Sequence, residues 1–373
     1  IAHGWTTCEH PDGGPGRRVF GLATSQIATD VLSAEGLTAR NVARWLATQE
    51  RLSTGTAADG PRPGAGDEAW RLQAGDLVVV DESAMTDTPA LVAIHQRVEK
   101  AGAKLLLVGD HRQLSAVGAS GGMELLAAAG GRYELVEARR FTAEWERDAS
   151  LRLRAGDTDV LRDYHEQGRL VDGGTRGQAE TSAARAWLAD TLSGHQSLLL
   201  VDDNEQAARL SAQLRAELVR LGQVDEHGVP LGMQGTYAGV GDLVQARRNG
   251  WDLAGLDGNR RGPINRETYK VTATRPDGGL DVTPVLAGTA DAEAGELAVG
   301  ERMVLPGPYV SEHMTLAYAL TVHAAQGQTV DTSHCVVTSS TSPAAVYVGL
   351  SRGRNANTAH VTTRTGAQDP AQG

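Results

Sequence analysis

Two apolar runs that end abruptly at polar side chains stand out in the pattern of hydrophobic and polar positions. Residues 77–80 are all Leu or Val and are followed by Asp81 and Glu82, and residues 105–108 are followed by a glycine and Asp110. Such runs are typical of parallel strands buried on both faces of a sheet. Ligands bind at the carboxyl ends of strands in open α/β sheets. The pattern therefore predicts a binding site where these two strands end.

The rest of the pattern alternates strands with helices. Residues 19–25 have the pattern of a strand that runs into a polar turn, Pro89 to Lys100 that of a helix, and the segment from Lys104 that of a strand. This alternation predicts a parallel sheet with right-handed crossovers. Beyond Glu144 the pattern is helical at residues 145–155 and again at 183–192, and a further apolar strand follows at residues 197–201. A second α/β unit is therefore expected near that strand.

A different composition separates the later elements. Residues 222–308 carry short β-like pieces at 242–246, 269–273 and 279–285, divided by Gly and Asp. We interpret this stretch as a small β-rich insertion. Residues 53–67, rich in Gly, Pro, Ala and Asp, are expected to form a surface loop.

The bulk properties narrow the class of protein. The 373 residues are enough for two domains or one elaborated domain. No apolar run approaches the roughly 20 residues that span a bilayer, and the first residues lack a secretory pattern, so we expect no membrane span and a cytoplasmic location. The cysteines Cys8 and Cys335 suggest no disulfide framework, and the spacing of His3, Cys8 and His10 matches no common zinc site.

Charge limits the ways in which the chain can bind nucleic acid. The formal net charge of -11 argues against a protein that coats DNA with a basic face. It leaves open a local groove that holds a single strand by stacking and hydrogen bonds to the backbone.

The acidic pair at the first strand end suits phosphoryl transfer. This chemistry needs one carboxylate to hold magnesium and a neighbouring group to orient the attacking water. Asp81 and Glu82 would serve, although such a pair is also common at a helix cap, for which Ser83 is suited, or at a solvated strand end. Gln113, near the second strand end, offers a neutral amide that could sense a terminal phosphate without adding negative charge.

Four segments, in this order along the chain, resemble motifs of superfamily 1 helicases. Residues 81–85 resemble a Walker B segment, 109–114 motif III, 321–329 motif V and 347–354 motif VI. Residues 21–25 resemble motif Ia, with Thr24 where the family often has proline, and 139–141 resemble motif IV. The chain is most similar to RecD-like helicases, especially the helicase region of conjugative relaxases of the TraI and TrwC type.

The resemblance implies an α/β fold with two RecA-like parallel-sheet domains of the P-loop NTPase kind and a β-rich insertion in the second. The domain limits that we predict from it are 1–144 for the first domain, 145–221 for the start of the second, 222–308 for the insertion, 309–362 for the rest of the second, and 363–373 for a disordered tail.

The resemblance also implies the core of an ATP-dependent helicase or translocase, moving 5′ to 3′ on single-stranded DNA. Its cofactors would be ATP and Mg²⁺, and conjugation or relaxosome proteins would be further partners. The implied roles are magnesium binding by Asp81, water activation by Glu82, detection of the γ-phosphate by Gln113, charge neutralisation by Arg140 and Arg352, and nucleotide contact by Gly327 and Arg352.

Strand contact is expected from hydroxyl and imidazole groups, which hydrogen-bond phosphate oxygens without reading sequence. The candidates are Thr24, Ser25, Thr321 and His323, although His323 could equally be a satisfied, partly buried histidine. Of the six tryptophans, one or two are candidates for base stacking and most are expected in cores.

One expected motif is missing. The sequence contains no G-x-x-x-x-G-K-[ST] loop to cradle phosphates, and its first lysine is Lys100. Residues 13–18 are glycine-rich but precede their strand, which favours a turn. We therefore expect a sequence that starts just after the loop, with impaired hydrolysis. The alternatives are a noncatalytic remnant that binds single-stranded DNA or a partner, and a structural module independent of nucleotide.

Overall fold

The chain forms two compact units, residues 1–133 and 134–373. The structure is a computed structural model. It describes residues 2–7, 17–54, 65–114, 121–135, 137–232, 235–285 and 301–364. Each unit is described by itself. No helix within these ranges combines the length and the apolar character needed to cross a bilayer.

The first unit is built on a four-stranded, fully parallel sheet. The strand order is β2-β1-β3-β4. The strands are β1 (Val19–Ala23), β2 (Thr38–Asn41), β3 (Leu77–Asp81) and β4 (Lys104–Leu107). The helices are α1 (Ala2–Thr7), α2 (Gln26–Ala34), α3 (Val42–Thr54), α4 (Ala65–Glu68), α5 (Thr88–Lys100) and α6 (Gly122–Ala129).

Helix α5 shows how the sequence produces this packing. Asp87 caps its N-terminus by accepting a hydrogen bond from Ala90 N, and Pro89 lies in its first turn, where proline needs no partner for a backbone N–H. Leu91, Ile94 and Val98 recur at helical spacing and are buried. Ile94 and Val98 belong to the core that the sheet and helix α3 complete.

The second unit contains a five-stranded parallel sheet in the order β14-β6-β15-β16-β5, a five-stranded antiparallel sheet in the order β12-β11-β10-β9-β13, and the hairpin β7-β8. The strands are β5 (Leu170–Gly174), β6 (Ser197–Val201), β7 (Val229–Leu231), β8 (Thr236–Ala238), β9 (Leu243–Ala246), β10 (Thr268–Thr274), β11 (Leu280–Pro284), β12 (Met303–Leu305), β13 (Met314–Leu316), β14 (Ala319–Thr321), β15 (Val330–Val337) and β16 (Gly353–Thr362). The helices are α7 (Glu144–Ala155), α8 (Leu161–Glu166), α9 (Arg176–Leu192), α10 (Asn204–Arg220), α11 (Gly307–His313) and α12 (Pro343–Gly349).

The two sheets of the second unit share one hydrophobic core. Buried side chains of α10, such as Leu210 and Leu214, belong to the same cluster as Val244 and Tyr269 of the antiparallel sheet and Val336 of the parallel sheet. The predicted α/β class, with a β-rich insertion, is confirmed. Strand β13 extends the antiparallel sheet beyond the predicted insertion.

The predicted domain limits stay a prediction. The structure groups residues 134–144 with the second unit, because Phe141 is buried there and Thr142 N donates to Arg354 O at 2.8 Å. The predicted loop at 53–67 is described only at its ends, where α3 and α4 lie, and residues 13–16 and 365–373 of the predicted turn and tail lie outside the described residues. Before the tail, Thr363 N donates to Gly174 O.

A fully buried aspartate joins three parts of the second unit. Asp242 accepts hydrogen bonds from Arg215 Nε of α10 at 2.8 Å, from Gly239 N at 2.7 Å and from the Tyr318 hydroxyl. The buried charge is thus paired and fully hydrogen-bonded, as burial demands. Because Tyr318 immediately precedes β14, this network fixes the antiparallel sheet to the helix and the strand of the parallel layer.

Removing the charge of Asp242 is predicted to lower the stability of the protein. In Asp242→Asn, Arg215 would keep a buried guanidinium without its counter-ion, and we expect the free energy of unfolding in urea to fall by about 3 kcal/mol. The matched control is Glu217→Gln, which breaks the exposed pair that Glu217 forms with Arg220 at 2.7 Å and should cost less than about 0.5 kcal/mol. Equal losses in the two variants would contradict the assigned role.

Two buried histidines and two partly buried side chains form a hydrogen-bonded row that connects α9 to β15 and β16. Ser182 Oγ lies 3.0 Å from His360 Nδ1, His360 Nε2 lies 3.3 Å from His334 Nδ1, and His334 Nε2 lies 2.9 Å from Asp190 Oδ2. Since the carboxylate only accepts, neutral imidazoles give one consistent direction, with each group donating towards Asp190. Burial, and to a smaller extent the neighbouring His334, lower the pKa of His360 to about 4. Burial also lowers the pKa of His334, which Asp190 partly offsets.

The two buried histidines of this hydrogen-bonded row predict that the stability of the protein depends on pH. A histidine with a lowered folded-state pKa binds fewer protons than in the unfolded chain, so its contribution is complete above about pH 6.5 and is lost as the pH falls towards 4. The contribution of His360 should be on the order of 3 kcal/mol. We expect His360→Gln to flatten the plot of unfolding free energy against pH between 6.5 and 4. The exposed His165, changed to Gln, should leave the slope unaltered, and an unaltered slope in His360→Gln would refute the assignment.

Candidate active site

Three parallel strands of the first unit end at one edge of its sheet. Ala23 pairs with Asp81 in the β1–β3 ladder, and Val80 pairs with Leu107 in the β3–β4 ladder. The side chains that follow these ends are Thr24 and Ser25 after β1, Asp81 and Glu82 at the end of β3, and Asp110 and Gln113 after β4. The structure therefore brings together at one edge the residues that the sequence predicts there.

The backbone turns sharply at the acidic pair. Glu82 has φ 47° and ψ 40°, a left-handed conformation that costs about 1–2 kcal/mol in a residue with a side chain. Its amide donates to Asp81 Oδ1 at 2.9 Å. Backbone strain of this kind clusters at functional sites. Within the described residues no hydrogen bond to Asp81 Oδ2 occurs, so this oxygen is available to a ligand.

Ser83 does not cap a helix, which was the structural alternative for this segment. Its amide and its hydroxyl both donate to Val108 O, each at 2.9 Å. Ser83 thereby fixes the loop after β3 to the end of β4. Gly109 follows with φ 156°, and a Cβ there would lie 3.0 Å from Ser83 N. A side chain at this position would press on the Ser83 amide and require it to shift.

Gln113 carries an unsatisfied acceptor. Its amide nitrogen makes a long contact of 3.4 Å with Asp110 Oδ2, while Gln113 Oε1 is buried and has no hydrogen-bond partner among the described residues. A buried acceptor without a donor costs about 1–3 kcal/mol. A bound water or other donor at this edge would remove that cost, as expected of a group that lines a ligand site.

The edge fits a metal that arrives with phosphates rather than a metal held by protein alone. Among the described residues no group of three or more His, Cys, Asp or Glu side chains could hold an ion. Magnesium usually keeps its waters and takes one or two carboxylates together with substrate phosphates. The available oxygen of Asp81 matches that requirement.

Thr24 and Ser25 lie at the surface of the same edge. Thr24 Oγ1 lies 2.9 Å from Thr86 Oγ1, and Ser25 Oγ caps α2 by accepting from Ala28 N at 3.1 Å. Both side chains are exposed. Ser25 therefore has a structural task, and its role in strand contact stays a prediction, as does that of Thr24.

In the second unit the predicted residues of motif V follow β14. Thr321 Oγ1 accepts from Ala324 N at 3.3 Å, and Gly327 is exposed with φ 84° and open space where a Cβ would lie. His323 is half-buried. Burial lowers its pKa, and Arg266 lowers it further, so the imidazole is neutral at pH 7. This neutral state suits both interpretations of His323 that the sequence leaves open.

The two candidate arginines meet at one main-chain segment. Arg140 donates to Ser351 O. Arg352 is only 1% exposed and donates to Val348 O at 3.0 Å, to Ser351 Oγ at 2.8 Å and, at the longer distance of 3.5 Å, to Gln328 O. In this conformation the Arg352 guanidinium is almost fully buried and binds oxygens of residues 328, 348 and 351.

Comparisons with known proteins agree with this architecture. A family model described as an AAA domain matches residues 7–175. A probable conjugal transfer protein TraA of Sinorhizobium fredii is 26% identical over 348 residues, which cover 91% of this chain and 28% of that protein. A crystal structure of a Pif1 helicase from Bacteroides, in complex with ADP-AlF3 and single-stranded DNA, superposes with a TM-score of 0.52 at 16% identity, covering 94% of this chain and 83% of that one.

The chain is similar over most of its length to conjugal transfer proteins TraA, and it shares the fold of the Pif1 helicase. The resemblance that the motifs indicated is thus confirmed, and the RecA-like, P-loop NTPase fold with it. The chain spans about 28% of the length of the TraA protein. An uncharacterized protein of Mycobacterium tuberculosis is 41% identical over 75 residues, or 20% of this chain and 43% of that protein.

Sequence patterns missed several polar groups that this TraA-like chain places at its strand ends. Asp202, at the end of β6, accepts from Thr338 Oγ1 at 2.9 Å and from Thr341 Oγ1 at 2.8 Å, which ties the end of β6 to that of β15. The Asp202-Asp203 pair after an apolar run is the available signal. Most tryptophans lie in or against a core, as expected, whereas Trp251 is 54% exposed.

The close contact between Gly109 and Ser83 predicts that adding a methyl group at position 109 destabilises the protein. Gly109→Ala should displace Ser83 and with it the acidic pair, lowering the free energy of unfolding by about 1–3 kcal/mol. Gly131→Ala is the matched control, since a Cβ at Gly131 meets nothing within 4 Å. Urea unfolding of both variants tests this, and a Gly109→Ala protein as stable as the control would disprove the close approach.

Proposed function

We propose that the chain is the core of an ATP-dependent DNA helicase or translocase, acting 5′ to 3′ on single-stranded DNA as a region of a conjugative relaxase. The observation that carries the proposal is the convergence of Asp81, Glu82 and Gln113 at one sheet edge, with a buried acceptor left for a ligand. The fold shared with a Pif1 helicase and the similarity to TraA support a DNA helicase-type function.

The residues of the first unit have distinct tasks in this proposal. Asp81 would hold Mg²⁺ through its available oxygen, and the bound ion would supply positive charge at the phosphoryl oxygens of ATP. Glu82 accepts a proton from the attacking water. Gln113 reports the γ-phosphate through its amide, and its buried Oε1 gains a donor when the site fills.

The residues of the second unit would supply charge and strand contacts. Arg140 and Arg352 neutralise charge that develops on the transferred phosphoryl group, for which a planar guanidinium is suited. Gly327, with open space above its backbone, lets the nucleotide approach closely. Thr321 and His323 contact the strand together with Thr24 and Ser25. Conjugation proteins are further partners, and the cytoplasm is the expected location.

Hydrolysis by this chain is proposed to be impaired, because the sequence holds no G-x-x-x-x-G-K-[ST] loop. The alternative function is a noncatalytic module that binds single-stranded DNA or a partner. The absence of that loop from the sequence favours this alternative.

Coupling between nucleotide and strand distinguishes the two functions without requiring turnover. We expect the purified chain to bind fluorescent oligo-dT, and we expect MgATP to change that affinity by at least about threefold, a coupling in the range usual for linked sites. Asp81→Asn should abolish the change, whereas Glu124→Gln, on the exposed face of α6, should preserve it.

Turnover is measured alongside, with and without single-stranded DNA. Any stimulated hydrolysis should disappear in Glu82→Gln, which separates the chain's own activity from contaminants. Strand binding that ignores MgATP would establish the noncatalytic alternative, and absence of strand binding would refute both.

A further inference from the structure

Two arginines of the second unit lie close together without an acidic partner. Arg247 follows β9 and Arg266 precedes β10. Arg247 donates only to neutral groups, Asn204 Oδ1 at 3.2 Å and Gln245 Oε1 at 3.4 Å. Among the described residues neither arginine forms a salt bridge.

Two acidic groups on the same segments pair with other cations. Glu267, next to Arg266, pairs with Arg261 at 2.6 Å. Asp203, next to Asn204, pairs with Arg176 at 3.5 Å. The arginine pair is therefore an uncompensated positive site in a chain whose net charge is negative.

The pair is partly buried, and its members repel each other. Both side chains are half-buried. Burial lowers the pKa of Arg247, and the positive charge of Arg266 lowers it further. The Gln245 amide contacts both arginines, accepting from Arg247 and donating to Arg266 O, so the two like charges are held near each other and an anion between them would relieve their repulsion.

The backbone holds Arg266 in place beside motif V. Arg266 has φ 70°, and this left-handed conformation is fixed by its N–H donating to Ala246 O at 2.7 Å and by Gln245 Nε2 donating to Arg266 O at 3.1 Å. The Arg266 guanidinium reaches His323 O at 3.4 Å. The neutral imidazole of His323 thus lies at the margin of the positive site.

We propose that Arg247 and Arg266 bind one phosphodiester of a single-stranded nucleic acid and extend the strand path from motif V onto the β-rich insertion. This inference rests on the proposed function for the identity of the strand. The anion site itself rests on the uncompensated pair. Forked guanidinium groups suit phosphate oxygens because each can donate two parallel hydrogen bonds.

Strand affinity and its salt dependence test the proposal on the full chain. Anisotropy of fluorescent oligo-dT should show that Arg247→Gln and Arg266→Gln each weaken binding about tenfold. In the double variant the slope of log affinity against log salt should fall by about 0.7, as expected when one phosphate contact on a single strand is lost. Arg247→Lys should bind more tightly than Arg247→Gln because it keeps the positive charge, but less tightly than the wild type because lysine cannot donate two parallel hydrogen bonds.

The control is Arg220→Gln on α10, an exposed arginine that is paired with Glu217. It should leave affinity and slope unchanged, and thermal melts should show that all variants are folded. If the wild-type chain binds the strand and the double variant binds it with the same affinity and slope, the inference is overturned while the proposed function stands.

Inorganic phosphate separates the anion site from the strand. Phenylglyoxal modification, followed by mass spectrometry, should be slowed by phosphate at Arg247 and Arg266 but not at Arg220. If the wild-type chain binds no strand, the proposed function fails. Protection of the pair would then still support a phosphate site, and absence of protection would overturn it.

Discussion

The two hydrogen bonds that Ser83 donates to Val108 O determine the geometry of the candidate active site. They join the loops after β3 and β4, the strands whose ends carry the acidic pair and Gln113. Without this link the acidic pair would lie on a free turn, and its left-handed residue would relax. Rigid support of this kind distinguishes a preorganised site from carboxylates that merely end a strand.

Electrostatics in this protein is local rather than global. The chain is acidic overall, yet the groups that matter lie in small compartments in which charge is either fully matched, as at Asp242, or left unmatched, as at Arg247 and Arg266. Buried charges are tolerated when each has its partner. The unmatched pair lies beside the antiparallel sheet, where a ligand from solvent can complete it.

The sequence predicts the first sheet well because its central strands are continuous apolar runs with sharp polar ends. The sequence pattern did not predict helix α3, and the reason is physical. Its buried face includes Thr48 and Gln49 beside Trp45, so the apolar spacing that marks a helix is interrupted. For α9, the signal that the sequence analysis overlooked was the capping box of Thr175 with Gln178, which starts the helix at Arg176. The site was predictable where it depends on strand ends, and not where it depends on side-chain conformation, as for Arg352, or on contacts between distant segments, as for Arg247 and Arg266.

The shared core of the second unit has a consequence for how this protein can change over evolutionary time. The β-rich segment is inserted in the sequence, but its inward side chains fill the same interior as α10 and the parallel sheet, and Asp242 closes that interior from one side. Among its described residues the buried apolar side chains therefore belong to this common core rather than to a separate one. Loops at its rim can vary freely, whereas the segment as a whole cannot be exchanged between relatives as a cassette unless the helix beneath it is exchanged as well.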